Sequence, residues 1–360
     1  MRVVVKIGSS SVTAGQGEVD TQALDKFTSE VVNARRLGHE VIVVTSGAIT
    51  AGVQVLGIAR PENPEMLQAV SAVGQIELMR VYRELFNRHG VVPGQVLLAP
   101  LDFAERQQYL HARTTLTNLL QLGVVPVVNE NDAVADDEIR FGDNDRIAAL
   151  VAHLMSADLL VLLTDMPGLL TADPRLQPDA SLIEEIIEID HVLESVAGGA
   201  GERGSGGMAS KLAAAKMAAW SGVRTVIAAA DRPGVLQDTI EGVPGVGTSV
   251  QPRAQTLSAR KLWIGFAVGS SGTLHVDDGA RSALIDSQRS LLPAGILSVD
   301  GVFAAHSAVE IAGADGVVFA KGICRLSSVD VAKVAGLRTG ELPEGITHET
   351  VHRDDLVVLP

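Results

Sequence analysis

The sequence predicts an α/β chain: a three-layer αβα sandwich around a mainly parallel central sheet, followed by a small β-rich C-terminal domain. Three observations carry this. Short aliphatic, β-branched runs recur without polar residues at alternate positions, which is the pattern of strands buried on both faces. Segments with helical periodicity lie between them, and strand–helix alternation implies a parallel sheet covered on both sides. Beyond about residue 250 the texture changes to short alternating runs separated by Gly-containing turns, the mark of a different, β-rich unit.

In order, the strands of the first unit are read at RVVVKI (2–7), EVIVVTS (40–46), VPVVNE (125–130), LLVLLTD (159–165) and RTVIAA (224–229). The first helix is TQALDKFTSEVVNARRLG, with Thr21 as N-cap and Gly38 as the residue that ends it. Further helices are read at 66–90, 112–123 and 208–222, and RIAALVAHLM (146–155) is apolar and helix-like. From Gly242 to about Arg260 the chain is rich in Gly, Pro, Gln and Ser and reads as a connection. TLHVDDGARSALI, GILSVDG, SAVEIAG and GVVFAKGICRL then read as short strands with turns at DG, AG and KG, and SSVDVAKVAG as a closing short helix. The expected division is 1–250, a linker 251–271, and 272–360.

With 360 residues, 46% of them hydrophobic, the chain has enough apolar material for a large core and is expected to form two domains. A net charge of −14 argues against broad, sequence-independent nucleic-acid binding, because phosphates would be repelled over most of the surface. The single cysteine, Cys324, cannot pair within the chain, and it is expected to be a small buried hydrophobe in a protein of the cytoplasm. The opening MRVVVKIGSS is too short in its apolar run for a signal peptide and is read as the first strand. No apolar stretch approaches the ~18 residues of a membrane span, so no membrane association is expected.

In such sheets ligands gather at the carboxyl ends of the strands. Those positions hold Lys6 with Gly8, Ser9 and Ser10; Thr45, Ser46, Gly47 and Ala48; Asn129 onward; and Thr164 with Asp165. KIGSS offers a cation and free backbone N–H groups to a phosphate, or equally a lysine that snorkels to solvent before a turn. GERGSGGMASK (201–211) matches neither the P-loop nor the dinucleotide pattern, yet it runs into a helix with Ser210 and Lys211 in its first turns. A lysine there opposes the helix dipole unless an anion compensates it.

NENDAVADDEIRFGDND (129–145) carries acids and amides with almost no apolar residues. It lacks the spacing of an EF-hand loop. It suits a small polar substrate whose ammonium meets the Asp132 carboxylate and whose carboxylates meet amides, or else an acidic surface hairpin.

NENDAV with FGDND downstream, KIGSS, VTSGAI, LLTDMPGLLTADPR and GSGGMASK, in this order, resemble the glutamate 5-kinases of the amino-acid kinase superfamily. The resemblance extends to the C-terminus, where HVDDGA, LLPAGI and VHRDDLV are similar to the PUA domain of many bacterial members. It implies the amino-acid kinase fold in 1–250, a PUA-like domain in 272–360, and transfer of a phosphoryl group from ATP, with Mg2+, to L-glutamate. Carried over by motif, Lys6, Lys211 and Asp145 would be catalytic, the lysines neutralising the phosphoryl group and Asp145 positioning the lysines or the magnesium. Ser46, Asp132 and Asn144 would bind glutamate and Asn129 would shape that pocket. Lys6, Gly8, Thr164, Asp165, Ser205, Gly206, Gly207, Met208, Ala209, Ser210 and Lys211 would hold the nucleotide; the resemblance names no metal ligands.

A carboxylate acceptor is ionised at neutral pH and needs no general base, so the lack of a histidine near these motifs fits, and His153 is read as core. The resemblance further implies feedback inhibition by proline through the glutamate pocket and residues 133–143, a dimer or tetramer, and a possible glutamyl-phosphate reductase as partner. Ser205 and Ser210 stand where relatives often have threonine, and Leu170 where tyrosine is frequent. Rival readings are a sibling kinase acting on aspartate, N-acetylglutamate, carbamate or UMP, an amino-acid sensor, and an RNA-binding protein. Against RNA, acids outnumber Arg and Lys after Gly272 and aromatics are scarce.

Overall fold

Strand β1 (Arg2–Ile7) sits between two parallel partners, β2 (Glu40–Val44) and β5 (Leu159–Thr164). That placement suits its composition: Val3, Val4 and Val5 are all fully buried, so both faces of the strand are covered. The computed structural model describes residues 1–13, 18–103, 105–134, 144–172, 177, 179–189, 207–254 and 256–359, in two units, Met1–Thr256 and Leu257–Pro360.

Among the described residues the sheet of the first unit has eight strands in the order β3-β4-β2-β1-β5-β7-β8-β6, where β3 is Pro93–Leu98, β4 Val125–Glu130, β6 Glu185–Ile186, β7 Arg224–Ala229 and β8 Thr248–Val250. Pairing is parallel from β3 through β7, β8 runs antiparallel to β7, and β6 is parallel to β8. Register aligns the strand ends: Lys6 lies opposite Val44 and Leu162, and Val44 opposite Val128. The segments after β1, β2, β4 and β5 therefore emerge together along one edge.

Among the described residues of this unit the helices are α1 (Ser9–Val12), α2 (Thr21–Arg36), α3 (Ala48–Leu56), α4 (Pro64–Arg88), α5 (Arg106–Gln121), α6 (Asn144–Leu154), α7 (Met208–Trp220) and α8 (Val235–Glu241). Residues from α2, α4 and α8 pack in one cluster with Val3, Val5 and Ile7, while α6 meets β1 and β5, α5 meets β4, and α7 meets β7. Since side chains alternate along a strand, this gives the two helical layers expected.

Local details differ from the sequence reading where caps decide. The N-cap of α2 is Asp20 and not Thr21: its carboxylate accepts the N–H groups of Gln22 and Ala23, which a threonine one residue later cannot do. Gly38 does end that helix, at φ +88°. Helix α4 begins at Pro64, two residues before the expected start, because the Asn63 side chain accepts the Met66 N–H and proline costs nothing at N1. The stretch from Gly242 to Arg260 is not all connection, since β8 within it pairs with β7.

Helices α3 and α4 cross with their backbones in contact. A Cβ on Gly74 would lie 1.8 Å from the Ala48 carbonyl oxygen and 2.2 Å from Gly52 N, and one on Gly52 would lie 2.0 Å from the Val70 carbonyl oxygen. No side chain beyond hydrogen fits either position.

The second unit carries a five-stranded sheet, β10-β9-β11-β12-β13, from β9 (Thr273–Val276), β10 (Ile296–Asp300), β11 (Ala308–Ala312), β12 (Val318–Cys324) and β13 (Val351–Val358). DGARSALI is helix α10 (Asp278–Ile285) and not strand, because the Asp277 carboxylate caps it by accepting the Ala280 N–H. The KG pair, Lys321 and Gly322, lies inside β12 beside a register shift and makes no turn. Upstream, within the expected linker, α9 (Ala259–Leu262) continues into a π turn, Trp263–Ala267, with Leu262 and Ile264 buried. Helix α11 (Ser328–Val334) forms where expected, but it does not close the unit: β13 follows it and pairs with β12. Cys324 is buried, and burial pushes its thiol up to about 11. Among the described residues no helix is long and apolar enough to cross a membrane.

Gly74→Ala tests the α3–α4 crossing. The methyl meets backbone on both sides, so a loss of about 3 kcal/mol or more is expected in denaturant unfolding. Gly340→Ala, with nothing within 4 Å of the new Cβ and no positive φ, serves as control and should stay within roughly 0.5 kcal/mol.

Candidate active site

At the aligned strand ends one carboxylate is held between two ammonium groups. Lys6 leaves β1 toward the α6 side of the sheet, and its Nζ lies 2.7 Å from Asp145 Oδ1. Lys211, in the first turn of α7, places Nζ 3.2 Å from Asp145 Oδ2, and the Ser210 hydroxyl donates to the same oxygen at 2.7 Å. Lys6, Asp145 and Lys211 are 3%, 0% and 4% exposed, so the three charges have little water to fall back on. Burial by itself would raise the Asp145 pKa, but the two lysines and the Ser210 hydroxyl outweigh it and hold the carboxyl below its ordinary range. Asp145 lies in the first turn of α6, where a negative charge meets the positive end of the helix. Lys211 sits against the dipole of α7, and the anion that compensates it is Asp145.

Beside this array β4 ends in a set of amides. The Glu130 N–H is shared: it donates to Asn129 Oδ1 at 3.0 Å and to Asn144 Oδ1 at 2.9 Å. Asn129 Nδ2 donates to Gln75 Oε1 at 2.8 Å, and Gln75 Nε2 donates to Gln95 Oε1 at 3.0 Å. Asn144 precedes Asp145 directly, so the amide set and the charged array share the start of α6.

Asp132 opens the short 3-10 turn after β4. Its Oδ2 accepts the Ser71 hydroxyl at 2.5 Å, while its buried Oδ1 has no hydrogen-bond partner among the described residues. Burial raises its pKa, opposed by the Ser71 hydrogen bond and the charge of Arg60. A half-satisfied carboxylate of this kind is a cation-receptive group. It borders a pocket of about 240 Å³ whose polar lining comes from Ser71, Gln75, Gln95, Glu130, Asn131 and Asp132.

The structure thus brings Lys6, Asp145, Ser210 and Lys211 into one cluster and joins Asn129 with Asn144. Ser46 is buried at the end of β2, before Gly47, which starts α3 at φ +106°. Thr164 is buried at the end of β5, and its hydroxyl donates to Asp165 Oδ1 at 3.0 Å. Gly8 has an extended backbone, and a methyl there would meet only ordinary contacts, the nearest Lys6 Nζ at 3.5 Å; the protein itself makes no steric demand for glycine. Gly207 is the N-cap of α7, with Met208 and Ala209 in its first turn. Ser205 and Gly206 lie outside the described residues, as do 135–143 of the acidic stretch. His153 is partly buried, with its imidazole 6.4 Å from the Tyr109 ring.

Sequence reasoning missed Ser71, Gln75 and Gln95. Ser71 and Gln75 were detectable in principle, being polar residues one turn apart on a helical face otherwise made of Val70, Gly74 and Leu78.

Among the described residues no group of three or more His, Cys, Asp or Glu forms a ready metal cage. Both oxygens of Asp145 are engaged by lysines, which fits a divalent ion carried in on phosphate oxygens better than one held in an all-protein site.

The model of the amino acid kinase family matches residues 1–229, and the PUA domain model matches residues 272–346. Glutamate 5-kinase of Caldanaerobacter subterraneus subsp. tengcongensis is 42% identical, over 100% of this chain and 98% of that protein. Glutamate 5-kinase of Citrifermentans bemidjiense is 44% identical, over 99% of this chain and 97% of that protein. Among solved structures, a carbamate kinase from Giardia lamblia bound to AMP-PNP shares the fold at 20% identity, covering 70% of this chain and 98% of that one with a TM-score of 0.50.

The state of Asp132 has a thermodynamic signature. Its folded pKa lies above the unfolded value, so its penalty is absent in acid, develops as pH rises through the folded value, and persists at neutral pH. Asp132→Asn should therefore raise the melting midpoint of the ligand-free protein by roughly 2 °C at pH 7, with the gain shrinking toward pH 4. A lower midpoint at pH 7 would show that the carboxylate is already satisfied.

Proposed function

The chain belongs to the amino acid kinase family, and on that footing we propose that it transfers the γ-phosphoryl group of ATP to the side-chain carboxylate of L-glutamate, giving L-glutamyl 5-phosphate, the first step of proline synthesis. The observation that carries the reading is the buried Lys6–Asp145–Lys211 array beside a pocket with a cation-receptive carboxylate.

Phosphoryl transfer asks for alignment and charge stabilisation more than covalent help. Lys6 and Lys211 bring two ammonium groups to one carboxylate at the strand ends, the positive charge that the phosphoryl oxygens meet. Asp145 fixes the spacing of the ammonium groups before any ligand arrives, the pre-organisation that makes electrostatic stabilisation effective. In this reading Asp145 serves the lysines. Magnesium, when bound with the nucleotide, supplies further charge to the phosphate oxygens.

Gly8 leaves room for a phosphate against its N–H, which accounts for a glycine the fold does not otherwise demand. Gly207 to Ser210 at the start of α7, with Ser205, Gly206, Thr164 and Asp165, hold the nucleotide. On the acceptor side, Asp132 takes the ammonium of glutamate, and Ser46, Asn144 and Asn129 with nearby N–H groups take its carboxylates. The attacking carboxylate is already ionised, so no residue acts as general base.

Proline, which shares the ammonium and α-carboxylate of glutamate in cyclic form, enters the same pocket as an inhibitor. A dimer or tetramer, a cytoplasmic location and a reductase that receives the labile acyl phosphate belong to the same reading. The test is ADP release from Mg-ATP with L-glutamate, L-aspartate, N-acetyl-L-glutamate, carbamate and UMP, with hydroxylamine present to trap acyl phosphate. Turnover and hydroxamate are expected with glutamate alone; turnover with another acceptor instead replaces the substrate. Lys211→Ala should lower kcat by roughly a hundredfold or more, since its partner is the group in flight.

The PUA domain favours a second reading, RNA binding, but the acidic balance of the C-terminal stretch opposes it. The expectation is no salt-sensitive retention of structured RNA in a mobility-shift assay, and a sharp salt-dependent shift would reverse it.

A further inference from the structure

Helix α4 contributes two side chains to the acceptor pocket, and both act on residues at the end of β4. Ser71 and Gln75 are one turn apart, on the same face of the helix, and both are buried. Ser71 donates its hydroxyl to Asp132 Oδ2 at 2.5 Å. That bond uses one carboxylate oxygen and leaves the other, Oδ1, to a ligand cation.

Gln75 accepts from Asn129 Nδ2 at 2.8 Å and is itself fixed at its amide nitrogen by Gln95 Oε1 at 3.0 Å. An asparagine amide can be turned over by 180° with little change in shape, and only its partners decide which end points where. With Nδ2 held by Gln75, Asn129 must present Oδ1 to the Glu130 N–H, the same donor that Asn144 Oδ1 engages. The chain Gln95–Gln75–Asn129–Glu130 N–H–Asn144 thus runs from β3 through α4 and β4 to α6. Gly74, between the two residues, brings α4 into backbone contact with α3, so the helix has no freedom to withdraw.

We propose that Ser71 and Gln75 are positioning residues of the acceptor pocket, Ser71 aiming the Asp132 carboxylate and Gln75 fixing the orientation of the Asn129 amide. Neither transfers a proton or meets the phosphoryl group. The inference rests on the reading of this pocket as the glutamate site.

The experiment is steady-state kinetics of the full chain with Mg-ATP and L-glutamate, for the unsubstituted protein, Ser71→Ala, Gln75→Met and Gln95→Ala. The methionine keeps the volume of Gln75 and removes its amide. Ser71→Ala and Gln75→Met should each raise KM for L-glutamate roughly five- to tenfold, with kcat and KM for ATP changed less than about twofold. Gln95→Ala, at an exposed edge-strand position, should raise the same KM by roughly twofold and carries the Gln75 arm if Gln75→Met fails to fold.

A double-mutant cycle separates aiming from general packing. In an Asp132→Asn background, Ser71→Ala should add nothing further to KM for glutamate. Full additivity, an unchanged KM, or equal losses in kcat and both KM values overturns the inference while leaving the kinase reading intact. If the unsubstituted chain turns over no glutamate, that reading falls and takes the inference with it.

Discussion

The fold's hardest constraint is a negative charge with no access to water. Asp145 is fully buried, and a lone carboxylate in such a place carries a desolvation penalty of several kcal/mol that only close partners offset. Its partners arrive from elements far apart in the sequence: Lys6 from the first strand and Lys211 from α7. Neither is available unless β1 occupies the middle of the sheet and α7 packs beside α6. The central position of β1 and the adjacency of those helices are therefore tied to one ion cluster as firmly as to the aliphatic core around them. The same cluster explains why a lysine is tolerated at the positive end of a helix.

The two sides of the site stand in different states of completion. On the nucleotide side, each oxygen of Asp145 already has a lysine partner, and the array is assembled before ligand arrives. On the acceptor side, Asp132 keeps an oxygen without a hydrogen-bond partner among the described residues. Rigid charge suits a reaction whose transition state is stabilised by fixed dipoles and ions. An unsatisfied carboxylate suits selection among small acceptors, because a molecule lacking the right cation leaves the deficit in place. The stability cost of the second arrangement falls where the protein gains discrimination.

The sequence made the buried strands legible because their runs lack a polar alternate, and the five of them framed the fold. Strand β3 was invisible: PGQVLL pairs on one side only and combines Pro93, Gly94 and Gln95, which an edge position tolerates and a central one would not. Strand β6 has two residues and β8 sits among glycines and prolines, so neither has a periodicity to detect. DGARSALI was misread since its capping aspartate looks like a turn residue until the N–H it accepts is known. In the site, strand-end logic pointed to Lys6, Asn129 and Thr164, and the acid-rich run pointed to Asp132 and Asp145. Particular roles came only through resemblance, because spacing alone leaves a phosphate lysine and a solvent lysine alike. Ser71 and Gln75 escaped since they lie mid-helix, where polar residues on a buried face are commonly structural.

The glycine crossing of α3 and α4 bears on how this pocket could change over evolutionary time. With Gly52 and Gly74 leaving no gap between backbones, the helical wall of the pocket cannot be shimmed outward by small substitutions. A lineage drifting toward a longer or bulkier acceptor would have to make room on the opposite wall, in the loops that follow the strands. Loops accept insertions far more readily than packed helices do. The crossing thus divides the pocket into an inherited half and an adaptable half.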